Sequence, residues 1–488
     1  MALEGEAGTG GPVAGKGRQA AWRPGAWRPG RWHPGQWLCD RWPLVLWLVF
    51  IAVIAVLAVA RPMRPITRIY SASALDWWAG VPVYTEGIHG FLYLPASALL
   101  FTPFALLPLP LADQLWRLAM LAVFSWAVWR AAALVRPDAP ARTARIVLAL
   151  AIPTAAIDVL RNQFELMMFA MMLHAAVDMA RGDDRRGGLT LALAVALKPL
   201  ALVPALLAGA VRPGTRRWLA IGLAVALVAP FIHPDPAYVA GQYGAMVAKL
   251  RTAAAPDSGT WFDLTVFLET WGWRPDYDTM TLVRIAAAAV TLGAAVLAAR
   301  RLDRVSAALA TLTLAVCYLL LFNPRVEEGS YVNLAVIAGL LACVEARRRP
   351  GTALPVVLGA LVFGLGTHFY GDWIYRPTAS WLKQALCLTV YAYLGFAVAT
   401  RRRLADPEPL PAPPGLWRHD RVALVVALGA VPVFAVARFI ARVPLRHWLS
   451  SLDGLDYLVL VIAANVIAFG LMAAAGPVWA WMRASRQS

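Results

Sequence analysis

Uninterrupted apolar runs of about 18 residues or more recur along this chain from residue 43 to residue 481, the length at which a helix crosses the hydrocarbon core of a bilayer. Inside hydrocarbon every backbone N–H and C=O must find a partner within the protein, so spanning segments are helices or closed barrels. Barrel strands alternate apolar and polar residues over short stretches, and these runs do not alternate. Of 488 residues, 60% are hydrophobic and 15% charged, whereas a soluble domain is about 45–50% apolar and about 25% charged. That composition excludes a soluble enzyme and a disordered chain. The expected fold is all-α: a polytopic membrane protein of about twelve transmembrane helices plus two re-entrant or broken segments.

Charge sets the orientation. The formal net charge is +17, but the basic residues punctuate the apolar runs rather than forming a free-standing patch, which argues against nucleic acid as a partner. Arginine clusters around 136–145, 181–186, 212–217, 300–304, 347–349, 401–403 and 483–486 are expected on the cytoplasmic side. With residues 43–60 leading outward, runs near 111–135, 144–161, 164–180, 217–232, 279–299, 305–322, 331–346, 353–370, 380–399, 421–441 and 456–482 complete the spans, with both termini inside. The chain divides into a Trp/Arg/Pro/Gly-rich tail over 1–42, a transmembrane core over 43–400, a Pro-rich linker over 401–420 and a two-helix segment over 421–488. The tail repeats a Trp-X-Pro-Gly unit every five residues from Trp22, a density of Pro and Gly that opposes helix formation.

Two apolar segments break this parity. Residues 188–211 are flanked on both sides by basic connections and interrupted at Lys198-Pro199, so they are expected to enter the membrane and return to the same side. Residues 92–110, with Pro95, Pro103, Pro108 and Pro110, are expected to stay on the outer side. Broken helices persist in lipid where protein or a polar cavity satisfies the freed backbone, and so mark an internal site. The outer connections 61–110 and 233–278 are long, which favours a functional role.

The first of these connections carries Tyr70, Asp76, Trp77, Trp78, Gly80 and Tyr84, then Tyr93-Leu94-Pro95. Arg161-Asn162-Gln163-Phe164-Glu165 follows, then an Ala-rich helix closing in Lys198-Pro199, then a polar turn from Asn323 to Tyr331 with Arg325, Glu327 and Glu328. In this order the chain resembles, over about residues 61–345, the GT-C glycosyltransferases. Within them it resembles glycosyltransferase family 87, the polyprenyl-phosphate-mannose-dependent α-1,2-mannosyltransferase type. The family's early acid has no counterpart between Arg64 and Tyr70, and its Gly-Gln-x-Asn element stands as Asn162-Gln163-Phe164-Glu165. The resemblance implies a GT-C-like core in a bacterial inner membrane, with an extracytoplasmic active site. The implied reaction moves mannose or another hexose or pentose from a polyprenyl-phosphate sugar donor to a glycolipid or glycan acceptor, with membrane lipids as surroundings. A polyprenyl-lipid binder without activity and a transporter or flippase are the alternatives, although no internal repeat of the transporter kind is visible.

Such a transfer needs a carboxylate to accept the acceptor hydroxyl proton and cations to meet the departing phosphate. Asp76, Glu327 and Glu328 are the candidate bases, each alternatively a structural acid. Lys198, Arg161 and Arg325 are candidate phosphate contacts. A lysine inside an apolar segment needs a polar partner, so Lys198 meets either a lipid phosphate or an intramembrane acid such as Asp158. Gln163, Trp77, Trp78 and Tyr93 complete the candidate substrate contacts. The sequence assigns no cofactor beyond a candidate divalent cation. Asp257, Asp263, Asp276 and Asp278 either hold a divalent cation or are solvated loop acids, and His89, His233 and His368 share no metal-ligand spacing. The four cysteines form no CxxC pattern.

Overall fold

A computed structural model describes residues 34–60, 66–253, 261–348 and 353–405. The first two repeats of the tail, the linker from 406, the spans at 421–441 and 456–482, Arg64 and Asp257 lie outside the described residues, whereas Pro34 and Gly35 of the third repeat are helical, against the expectation for the tail. Within them the chain is helical and holds no strand. In order, the helices are α1 (Pro34–Ala60), α2 (Thr67–Trp78), α3 (Pro95–Ala105), α4 (Leu109–Val135), α5 (Pro140–Arg161) and α6 (Phe164–Arg181). Next come α7 (Asp184–Leu197), α8 (Leu202–Val211), α9 (Pro213–Val228), α10 (Pro236–Ala253), α11 (Leu264–Thr270) and α12 (Tyr277–Arg301). The last are α13 (Arg304–Phe322), α14 (Val332–Arg348), α15 (Ala353–Leu365), α16 (Asp372–Thr378) and α17 (Leu382–Ala399).

Eight of the described helices are long and apolar enough to cross a membrane: α1, α4, α5, α9 with the 3-10 turn that follows it, α12, α13, α14 with the turn that precedes it, and α17. The expected spans at 164–180 and 353–370 are also helical. α6 carries Glu165, Asp178 and Arg181, and α15 is only 13 residues long, about 20 Å. α1 starts nine residues before the expected first span. It carries Pro43 inside it.

The basic connections converge on one end of the bundle. Arg136 donates to the Cys343 carbonyl at 2.7 Å, Arg304 to the Met179 carbonyl at 3.2 Å and Arg348 to the Ala405 carbonyl at 2.6 Å. Arg347 pairs with Asp138, and Arg402 with Glu345. At the opposite end the Ile66 N–H donates to the Arg161 carbonyl at 3.0 Å and the Phe262 N–H to the Val326 carbonyl at 2.9 Å. Lys249 there donates to the Thr85 carbonyl at 2.7 Å. Arginine-rich turns and long polar connections therefore sit at opposite ends, as alternating spans require. α5, α13 and α14 form the interior, with 83–94% of their apolar windows buried, while α9 and α12, at 17%, face outward.

The segment 188–211 is a hairpin. α7 runs beside α6, breaks at Lys198 and a 3-10 turn, and α8 returns so that Arg212 comes within 3.4 Å of Asp184, the first residue of α7. Its tip is roofed by α3, whose Ser97 hydroxyl donates to the Ala196 carbonyl at 2.6 Å, pairing backbone that the break exposes. The outer connections are themselves ordered. The first contains α2 and α3, and the second contains α10 and α11.

Candidate active site

The site forms where the hairpin tip meets the start of α6 and the turn before α14. Asn162 ends α5 in the left-handed conformation, φ 59°, which a short amide side chain tolerates. Its amide donates to Thr67 at 2.9 Å and to Asp113 at 2.9 Å, and Asp113 pairs with Arg117 at 2.7 Å. This buried network fixes the reversal between α5 and α6 and aims the next residues inward.

Glu165, buried in the first turn of α6, accepts from Lys198 at 2.5 Å and from the Asn333 amide of α14 at 2.8 Å. Sequence reading left Lys198 with either a lipid phosphate or an acid such as Asp158. The partner is Glu165, 33 residues away and invisible to local inspection. An ammonium in an apolar setting needs such a counter-charge. Gln163 donates to Glu327 at 2.7 Å, so the three-residue element Gln163-Phe164-Glu165 engages both the hairpin and the 323–331 turn. Glu327 is half-buried, and among the described residues no cation lies within ion-pair distance of it. Asp158, buried one turn before the end of α5, has one carboxylate oxygen without a partner and lies within electrostatic reach of Glu165, Glu327, Lys198 and Arg161. Gly329 allows this approach, because any side chain there would collide with the Asp158 carboxylate.

Aromatic rings make the neighbouring wall. Tyr70 stacks on Phe164 with centroids 3.9 Å apart, and its hydroxyl accepts from the Phe164 N–H at 3.1 Å and shares a hydrogen bond with the Tyr93 hydroxyl at 3.1 Å. Burial raises both hydroxyls above the ordinary phenol value, so both remain protonated. Arg325 donates to the Ile88 carbonyl at 3.0 Å and lies 4.4 Å over the Trp261 ring, and burial holds its guanidinium below the usual arginine value. It does not form the close pair with Glu327 that a self-contained turn would have. Arg161, half-buried at the end of α5, lies within electrostatic reach of Asp158, Tyr375 and His368.

The remaining candidates sit elsewhere or differently. Trp77 is fully buried against His233 and Tyr238, so neither face is open for a sugar to stack on. It follows Tyr70 and Ala74 on the inner face of α2, whereas Trp78 is exposed and donates to Thr102 at 3.0 Å. Asp76 is half-buried, and its charge acts on Tyr238 of α10 rather than on the Glu327 group. Glu328 faces the other side of the turn, within reach of Tyr375 and Lys383. Asp263 is a buried helix cap paired with Arg284 at 3.4 Å rather than a solvated acid, whereas Asp276, which caps α12, and Asp278 are exposed. No three His, Cys, Asp or Glu side chains come together as a metal site among the described residues. Sequence reasoning missed Asn333, Asp113 and the buried pair of Lys383 and His368, 3.1 Å apart. Only the rarity of polar residues within apolar runs marked them.

Residues 91–324 match the model of Glycosyltransferase family 87. This stretch is similar to glycosyltransferase family 87. It contains Tyr93, Arg161, Gln163, Glu165 and Lys198, and ends one residue before Arg325. The match indicates a glycosyltransferase. Asp76, Trp77 and Trp78 precede the matched stretch, and Glu327 and Glu328 follow it. No curated protein matches the chain.

Proposed function

We propose that the protein transfers a sugar from a polyprenyl-phosphate donor to a glycolipid or polysaccharide acceptor in a GT-C-like manner, at the end of the bundle opposite its arginine-rich turns. By the charge rule that end is extracytoplasmic in a bacterial inner membrane. The observation that supports this most is Glu327, a half-buried carboxylate held by Gln163 at 2.7 Å with no cation within ion-pair distance among the described residues. A carboxylate so placed accepts a proton from the acceptor hydroxyl as that oxygen bonds to the anomeric carbon. The bond from that carbon to the phosphate oxygen breaks, and polyprenyl phosphate departs with the electron pair. In this reading Arg325 and Arg161 meet the phosphate, since Lys198 is paired with Glu165. Mannose is the first sugar to test, on the resemblance.

The test is incubation of the purified protein with radiolabelled polyprenyl-phosphate-mannose and a panel of glycolipid acceptors. Label passing to an acceptor supports the reading. Retention of the donor without transfer to any acceptor, with other polyprenyl-phosphate sugars equally inert, replaces it with a lipid binder.

A further inference from the structure

At the arginine-rich end, remote from Glu327, a cavity of about 330 Å³ opens between the starts of α7, α9 and α13 and the end of α12. Arg212, Arg304, Asp184, Gly214, Leu302 and Thr311 are among its lining. Among the described residues Arg212 has one ion pair, with Asp184 at 3.4 Å. Arg304 uses its Nε on the Met179 carbonyl, and its two terminal guanidinium nitrogens make no hydrogen bond among the described residues. The two cations repel each other; burial and then Arg304 draw the Arg212 guanidinium below its ordinary value. With one carboxylate against two guanidiniums, the cavity keeps a net positive charge that an anion would relieve.

The cavity's surroundings identify the kind of anion. Through Val211, Arg212 and Thr311 it continues into an apolar crevice lined by Met172, Leu191, Pro204 and Leu312. The helices beside it turn apolar faces outward: Leu206 of α8 is 62% exposed and Leu297 of α12 is 36% exposed. Arginines that close membrane spans lie at the headgroup level of a bilayer. A soluble anion would use the guanidiniums and leave the apolar surfaces unused.

We infer that this cavity binds an anionic membrane phospholipid, its phosphate between Arg212 and Arg304 and its acyl chains along the exposed faces of α8 and α12. The lipid ties the returning end of the broken hairpin to the start of α13. This site is independent of the transferase reading.

The test uses the full chain in phosphatidylcholine nanodiscs with increasing phosphatidylglycerol, read by native mass spectrometry of co-purified lipid and by thermal unfolding. The wild type should retain phosphatidylglycerol and unfold at rising temperature as its fraction increases. R212Q/R304Q should lower retention at least tenfold, whereas R300Q/R301Q, which removes the same charge from an exposed turn nearby, should retain it. If R212Q/R304Q does not fold, R304Q alone should lower retention. Equal retention by R304Q and wild type overturns the proposal. So does equal stabilisation by inorganic phosphate in discs of pure phosphatidylcholine, which would make the cavity a free-anion site. Displacement of phosphatidylglycerol by equimolar polyprenyl phosphate overturns it too, in favour of a substrate lipid.

Discussion

Lys198 illustrates how one buried charge organises a site. Its ammonium is balanced by Glu165, and Glu165 is completed by Asn333, so α6, α14 and the hairpin tip meet at one carboxylate. Removing one member of a buried pair strands the other, at a cost of about 3–5 kcal/mol, whereas removing both is far milder. Lys198→Met should therefore lower stability strongly, and Lys198→Met with Glu165→Gln should recover most of the loss, as read by chemical unfolding in detergent. Equal stability of the single variant and the wild type would show that the pair does not hold the tip.

Among the elements, the turn before α14 depends on Gly329, whose backbone lies directly against the Asp158 carboxylate. Gly329→Ala should displace the turn at a cost of about 1–3 kcal/mol and lower transfer, while Gly359→Ala, with open space around it in α15, should change neither. Unfolding and turnover measured on both variants check this. The broken hairpin was legible in the sequence because parity is a global constraint: basic turns on both sides of 188–211 leave no other path. Helices inside the second outer connection were not legible, because α10 is too polar for a hydropathy reading and α11, at 7 residues, is too short for a period. Nor was the partner of Lys198, since a contact 33 residues away leaves no local trace. Trp77 and Trp78 were indistinguishable as neighbours in sequence. Only the rotation of α2 separates the buried ring from the exposed one.

At the scale of the molecule, opposite ends divide the work: arginine-rich turns at one, the Glu165–Lys198 and Gln163–Glu327 pairs at the other. In a Cys39→Ser background, Glu86→Cys should react with an impermeant maleimide in intact spheroplasts, and Arg186→Cys only after lysis. The reverse pattern would invert the protein in its membrane. The resemblance to family 87 was legible from motif order, and residues 91–324 carry the match, yet the carboxylate favoured as the base lies just beyond it. Asp76 and Glu328 belong to other neighbourhoods, which leaves Glu327 as the acid both accessible and held. The most direct measurement compares Glu327→Gln with wild type for sugar transfer and for donor binding in the same preparation. The amide keeps the shape and loses the proton acceptor, so turnover should fall at least about 10²-fold with donor affinity retained. Transfer at the wild-type rate by Glu327→Gln would contradict the account.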